Sequence, residues 1–151
     1  IKKQNISMNK FTDELKKWQE KRFAEKNIKA EWEIKADRLF GDELLLEMLI
    51  RNIFENAFRA TDEGGKISTY VYENEKNTVF EITDTGCGME PEELEKIKEP
   101  FYRVDKSRSR KQGGTGLGVS LCQKIVEKHD GSMEYRSKKG VGTTVTVKIP
   151  L

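Results

Sequence analysis

The sequence predicts an α/β fold, a two-layer sandwich in which a mixed, mostly antiparallel sheet is covered by helices on one face. Three observations carry this. A long amphipathic pattern runs from Asp42 to about Ala60, at helical spacing. Several short segments are rich in β-branched and aromatic residues and are bounded by turn formers. Helices and strands follow one another without the regular alternation of a parallel βαβ sheet. With 151 residues, seven Phe, four Tyr and two Trp, the chain can fill one core, so 1–151 is treated as a single domain.

Each element follows in chain order. Residues 4–8 predict a short strand, and Thr12 the N-cap of a helix to about Glu25 with Leu15, Trp18 and Phe23 as apolar positions. Residues 28–35, IKAEWEIK, alternate apolar and polar as a half-buried strand does. Asp42 predicts the cap of a helix to about Ala60, stopped by Thr61-Asp62-Glu63-Gly64-Gly65. Lys66–Tyr72 and Thr78–Thr83, joined through Asn74–Asn77, predict a hairpin. Pro91 opens a short helix to about Lys98, and residues 99–115 carry no regular pattern. Gly116–Lys128 predicts a further helix, then strands Gly131–Ser137 and Thr143–Ile149 around Gly140-Val141-Gly142.

Bulk properties exclude several classes of function. The net charge of +2 is the near-cancellation of 28 basic and 26 acidic side chains, which gives no general footprint for nucleic acid or a membrane surface. Cys87 and Cys122 lack metal-ligand spacing, and one histidine cannot complete a His/Cys zinc site. The cysteines read as reduced thiols of a cytoplasmic domain. No apolar run reaches the roughly 20 residues that cross a bilayer. The chain begins with Ile and carries no visible signal peptide, so we expect a piece of a longer protein.

On helix 42–60, Leu45, Met48, Leu49, Asn52, Asn56 and Arg59 fall on one stripe at about 100° per residue. Leu46, Ile50, Ile53, Ala57 and Ala60 form a second, apolar stripe. A buried amide without partners costs on the order of 1–3 kcal/mol. Asn52 and Asn56 therefore either bond to nearby backbone or face a ligand. Amide oxygens suit a hard cation such as Mg²⁺, and a guanidinium one turn on suits phosphate. Helix geometry leaves both readings open.

Asp84-Thr85-Gly86-Cys87-Gly88-Met89 follows a strand; it is either an Asx-capped turn or a carboxylate placed to accept from an exocyclic amine. Residues 100–111 carry Arg103, Lys106, Arg108, Arg110 and Lys111 against Asp105, and run into Gly113-Gly114-Thr115-Gly116-Leu117-Gly118 at a helix start. A helix N-terminus with glycine-freed amides is an anion site. Val119-Ser120 stands where a P-loop needs Lys-Ser/Thr, and GGTGLG is not the GxGxxG of a dinucleotide turn. His129, in Lys128-His129-Asp130-Gly131, reads as a cation at a helix C-terminus.

In this order the motifs resemble the catalytic and ATP-binding domain of sensor histidine kinases, in the gyrase/chaperone/histidine-kinase/MutL superfamily (the Bergerat fold). Asn52–Ala57 resembles its asparagine box and Asp84–Met89 its first glycine box. Pro100-Phe101-Tyr102-Arg103 is similar to the phenylalanine box, Gly114–Gly118 to the second glycine box, and Gly140–Thr144 to a third.

The resemblance implies ATP and Mg²⁺ as cofactors and assigns roles. Asp84 would meet the adenine amine, with Gly86, Gly88 and Met89 shaping the base pocket and Thr143 supporting it. Asn56 would ligate Mg²⁺ with help from Asn52, and Arg59 would meet phosphate. Residues of about 99–115 would form a mobile lid, bringing Tyr102 and the phosphate contact Arg103. Gly114, Thr115, Gly116, Leu117 and Gly118 would receive the phosphate tail.

Hydrolysing relatives carry Glu where this chain has Asn52, so transfer rather than water attack is implied; Glu55 would assist Asn52 and Arg103 in catalysis. The acceptor would be a histidine on a separate dimerisation segment of the same kinase, with a response regulator downstream. The full kinase would be anchored in the cell membrane, with no membrane or nucleic-acid contact by this piece. Rival expectations are a serine kinase of the anti-sigma-factor type, which usually keeps Glu at position 52, and a non-transferring nucleotide sensor.

Overall fold

The computed structural model describes residues 1–97 and 118–151. Elements follow the order β1 (Gln4–Ser7), α1 (Met8–Ala24), β2 (Lys29–Lys35), β3 (Arg38–Gly41), α2 (Glu43–Ala60), β4 (Lys66–Glu73) and β5 (Asn77–Asp84). After them come α3 (Pro91–Lys96), α4 (Gly118–Lys128), β6 (Ser132–Lys138) and β7 (Gly142–Pro150).

Five strands form the main sheet in the order β2-β4-β5-β7-β6. β2 runs parallel to β4 and the other three pairings are antiparallel. The expected sandwich is therefore observed, its sheet mixed and mostly antiparallel. The hairpin β4–β5 turns where Asn74 Oδ1 accepts the amides of Lys76 and Asn77, at 3.0 and 2.8 Å. That is the Asx-type local bonding for which Asn is favoured in turns.

Alternation sorts the sheet into two faces. On β4, Ile67, Thr69 and Val71 are buried, while Ser68, Tyr70 and Tyr72 are partly exposed. The buried face joins Phe80, Ile82, Val145 and Val147 to the apolar sides of α1, α2 and α4 in one core. Phe54 of α2 is its aromatic centre, with ring centroids 6.3 Å from Trp18, 6.2 Å from Phe23 and 5.7 Å from Trp32. It is fully buried, so Phe54→Ala would cost about 3–5 kcal/mol. Cys122 lies in the same core, where burial pushes its thiol up to about 12.

Three local expectations are corrected. Helix α1 begins at Met8, capped by the Ser7 side chain, four residues before the expected Thr12 cap. Thr12 lies inside the helix, and its hydroxyl donates back to Met8 O at 2.9 Å. The short strand β3, which pairs antiparallel with β1, has no counterpart in the sequence reading. On α2 the buried face also takes in Leu49, Phe54 and Phe58, while Met48 is 38 % exposed.

The Asp42 cap of α2 stands as expected: its Oδ1 accepts from the Leu45 amide at 3.2 Å. Its Oδ2 accepts from the Lys2 amide at 3.1 Å, and these bonds hold the carboxylate below its ordinary pKa. His129, expected as a helix-end cation, does end α4 but is 2 % exposed and bonded at both ring nitrogens. Its Nε2 lies 3.0 Å from the Asp42 amide, which can only donate, and its Nδ1 lies 2.8 Å from Ile125 O, which can only accept. The neutral tautomer with its proton on Nδ1 satisfies both. His129 thereby ties the C-terminus of α4 to the N-terminus of α2.

Candidate functional site

Helix α2 supplies one wall of the site. Between its buried positions α2 places three polar side chains along a stripe of partial exposure: Asn52, Asn56 and Arg59. Asn52 Nδ2 donates to Met48 O at 2.8 Å, which meets the backbone-bonding reading for that half of the amide. Its Oδ1 is on the side of α4. A Cβ placed on Gly118, the first residue of α4, would sit 3.4 Å from Asn52 Oδ1 and 3.8 Å from Asn56 Oδ1. The two asparagines and the start of α4 thus line one cleft.

Glu55 lies toward α1. Its Oε1 accepts from Arg22 Nε at 2.9 Å and its Oε2 from Arg22 Nη2 at 2.7 Å. Arg59 Nε stands 3.3 Å from the same Oε2.

Asp84 ends β5 near the C-terminal end of α2, in register with Thr143 on β7. It is 7 % exposed, and its Oδ1 accepts the amides of Gly86 at 2.8 Å and Thr143 at 3.3 Å. Burial raises its pKa to about 6 despite those two amides, which pull the other way. Desolvation wins because two neutral donors on one oxygen replace only part of the lost hydration.

The loop after Asp84 is pressed against α2. A Cβ on Gly86 would stand 2.5 Å from Ala60 O, so glycine is required for this approach. Gly142, at φ 145°, brings the β6–β7 turn against the Asp84 carbonyl, where any side chain would collide. Gly88, at φ 67°, backs onto Lys138. Further bonds fix the loop: Cys87 N donates to Ala60 O at 3.1 Å, Gly140 N to Cys87 O at 2.7 Å, and Met89 N to Ser137 Oγ at 2.8 Å. Ser137 Oγ is 2.7 Å from Thr143 Oγ1. The sequence reading missed Ser137 and the Ala60 carbonyl, whose roles arise from contacts across the chain rather than from any local pattern.

The structure thus brings together Asn52, Asn56 and Gly118 beside the middle of α2, and Asp84, Gly86, Gly88, Met89 and Thr143 by its C-terminal end. Tyr102, Arg103, Gly114, Thr115, Gly116 and Leu117, with the expected lid of about 99–115, lie outside the described residues. Among the described residues there is no cluster of three or more His, Cys, Asp and Glu side chains suited to a metal. No helix among them is long and apolar enough to cross a membrane.

The donor set fits Mg-ATP rather than a free metal. A buried carboxylate at a strand end suits an amine donor. Two amide side chains offer a hard cation only part of its shell, so phosphate oxygens and water must complete it.

Comparison with known proteins gives the family. Residues 41–151 match the family described as histidine kinase-, DNA gyrase B-, and HSP90-like ATPase. The sensor protein SrrB of Staphylococcus aureus (strain NCTC 8325 / PS 47) is 38 % identical over 119 residues, which is 79 % of this chain and 19 % of that protein. The chain therefore spans about a fifth of that relative's length. The nucleotide-free catalytic domain of the histidine kinase ThkA superposes with a TM-score of 0.86 at 25 % identity, over 99 % of this chain and 98 % of that one. The mycobacterial sensor histidine kinase MprB shares the fold, with a TM-score of 0.86 at 24 % identity over 97 % of each chain. The chain belongs to the histidine kinase-, DNA gyrase B- and HSP90-like ATPase family, as the catalytic, ATP-binding domain of a sensor histidine kinase.

Proposed function

We propose that this domain binds Mg-ATP between α2, the Asp84 loop and the start of α4, and passes the γ-phosphate to a histidine on a separate segment of the same kinase. The observation that carries this reading is the approach of Gly118 to both Asn52 and Asn56, with a buried carboxylate, Asp84, by the C-terminal end of the same helix.

Asp84 accepts from the adenine amine, while Gly86, Gly88 and Met89 bound the base and Thr143 braces the carboxylate. Asn56, assisted by Asn52, ligates Mg²⁺. Arg59, Arg103 and Tyr102 face the nucleotide, and the amides of Gly114, Thr115, Gly116, Leu117 and Gly118 take the phosphate tail. Bound Mg-ATP supplies the phosphoryl group and the metal charge that offsets it. The chain contributes position and charge, which is most of what phosphoryl transfer requires of a protein. Asn52 is an amide where a water-activating carboxylate would stand, so hydrolysis is not promoted. His129 is buried and bonded at both nitrogens, which leaves the acceptor to another segment.

We place the domain on the cytoplasmic side of a membrane-anchored kinase that is dimeric through its acceptor segment. A histidine kinase of this fold, ThkA, has been crystallised with the response regulator TrrA, which supports a response regulator as the downstream partner.

The test is incubation with γ-labelled ATP of this domain alone and of the full-length kinase. The domain alone should stay unlabelled. The full kinase should carry acid-labile label on a histidine outside 1–151. Label on His129, or on a serine of a partner protein, would contradict the assignment.

A further inference from the structure

β5, β7 and β6 lie side by side in the sheet, and their registers place Asp84, Thr143 and Ser137 in one row. Two residues away on each strand, Ile82, Val145 and Tyr135 pack into the core beneath the helices. The row therefore points to that same side of the sheet. Asp84 and Thr143 belong to the glycine motifs, but Ser137 belongs to none of them.

Ser137 Oγ has three partners: the Met89 amide at 2.8 Å, Gly142 O at 3.1 Å and Thr143 Oγ1 at 2.7 Å. A serine hydroxyl carries one proton and two lone pairs. The Met89 amide can only donate and the Gly142 carbonyl can only accept. The proton therefore goes to Gly142 O, and one lone pair to Met89. The second lone pair is left for Thr143, whose hydroxyl must donate to it. With its proton held there, Thr143 Oγ1 offers only lone pairs to anything beside it.

Ionised Asp84 is likewise acceptor-only, and its Oδ1 takes the amides of Gly86 and Thr143. The two side chains form an edge without a donor. An exocyclic amine, with two protons, matches such an edge. A ring carbonyl in its place sets acceptor against acceptor, and one of them is left unpaired.

We infer that Ser137 is a positioning residue for base specificity: by holding the Thr143 proton it keeps that hydroxyl an acceptor, and so favours a 6-amino over a 6-oxo purine. This rests on the nucleotide reading above.

The test compares ATP with inosine triphosphate, which keeps the sugar and phosphates and replaces the amine by a carbonyl. Affinities are measured by calorimetry with magnesium at pH 8, above the raised pKa of Asp84. The proteins are the wild type, Ser137→Ala, Thr143→Val and the double variant, with thermal melting as a check on folding. The wild type should prefer ATP. Ser137→Ala frees the Thr143 hydroxyl to turn and donate, so the preference should shrink about fivefold, the worth of one neutral hydrogen bond. Thr143→Val should also shrink it, and adding Ser137→Ala to that variant should change the preference no further.

A merely structural role for Ser137 would weaken both nucleotides alike and leave the preference of Ser137→Ala unchanged, which overturns the inference. Effects of the two substitutions that simply add would overturn it too. Should Ser137→Ala fail to fold, a wild-type preference retained in Thr143→Val has the same force. A wild type that binds both nucleotides equally overturns this inference alone. One that binds neither overturns the nucleotide reading and this inference with it.

Discussion

Gly118 at the start of α4 and Asn52 on α2 face each other so closely that a single Cβ on the glycine would meet Asn52 Oδ1 at 3.4 Å. That spacing is ordinary contact for one methyl group but leaves no room for a branched side chain beside a bound ligand. Gly118→Ala should therefore fold and keep measurable ATP binding. Gly118→Val should fold and lose at least tenfold in ATP affinity. Calorimetric titration of the two variants checks this, and equal affinities would take the cleft away from the phosphates.

Asp84 should set both base recognition and a pH dependence. Its carboxylate is acceptor-only when ionised, and Asp84→Asn introduces a donor toward the adenine amine. We expect adenosine affinity to fall at least tenfold in that variant. In the wild type, an amine ligand favours the ionised form, and burial has raised the free carboxyl to about 6. Adenosine affinity should then rise from pH 5 to pH 7 and level off above it. Adenosine is the right probe because it has no phosphate to titrate in this range. A flat profile in the wild type would remove Asp84 from the base contact.

The same residue makes a prediction about stability, with the opposite slope. Its folded pKa of about 6 lies above the usual aspartate value, so between the two the folded state holds more protons than the unfolded chain. The contribution is fully present below the unfolded value of about 3.9 and is lost as pH rises through about 6, on the order of 3 kcal/mol in all. Denaturation of Asp84→Asn should lack this component, leaving the variant more stable relative to wild type at pH 7 than at pH 4. A constant difference across that range would count against the buried, proton-holding carboxyl.

Much of this was legible in the sequence because its signals are local. Asp42 caps α2 through a bond spanning three residues, and Asn74 turns the β4–β5 hairpin through bonds of two and three. Asp84 and its glycines lie within five positions of one another. What escaped was set by distance along the chain. β3 has only four residues, too few for a periodic pattern, and exists because Arg38–Gly41 pairs with Gln4–Ser7. Thr12 has the chemistry of a cap, but Ser7 stands at the place where β1 delivers the chain into the helix. His129 resembled a helix-end cation until its partner, 87 positions away, made it an acceptor.

That last bond can be broken on its own. His129→Leu leaves the Asp42 amide and the Ile125 carbonyl without their partners in a site 2 % exposed. The loss should be on the order of 1–3 kcal/mol, seen as a lower melting temperature, because buried groups left unsatisfied carry their full desolvation cost. A melting temperature equal to wild type would mean that the ring contributes no more than its volume.

The central claim is that this domain is built around magnesium-bound ATP. Calorimetric titration with ATP, with and without magnesium, in wild type and in Asn56→Ala, tests it most directly. The account predicts saturable one-to-one binding in the wild type that weakens at least tenfold when magnesium is removed. Asn56→Ala, folded as judged by its melt, should bind ATP weakly whether or not magnesium is present. A wild type that gives no binding heat, or an Asn56→Ala variant with undiminished magnesium-dependent affinity, would contradict it.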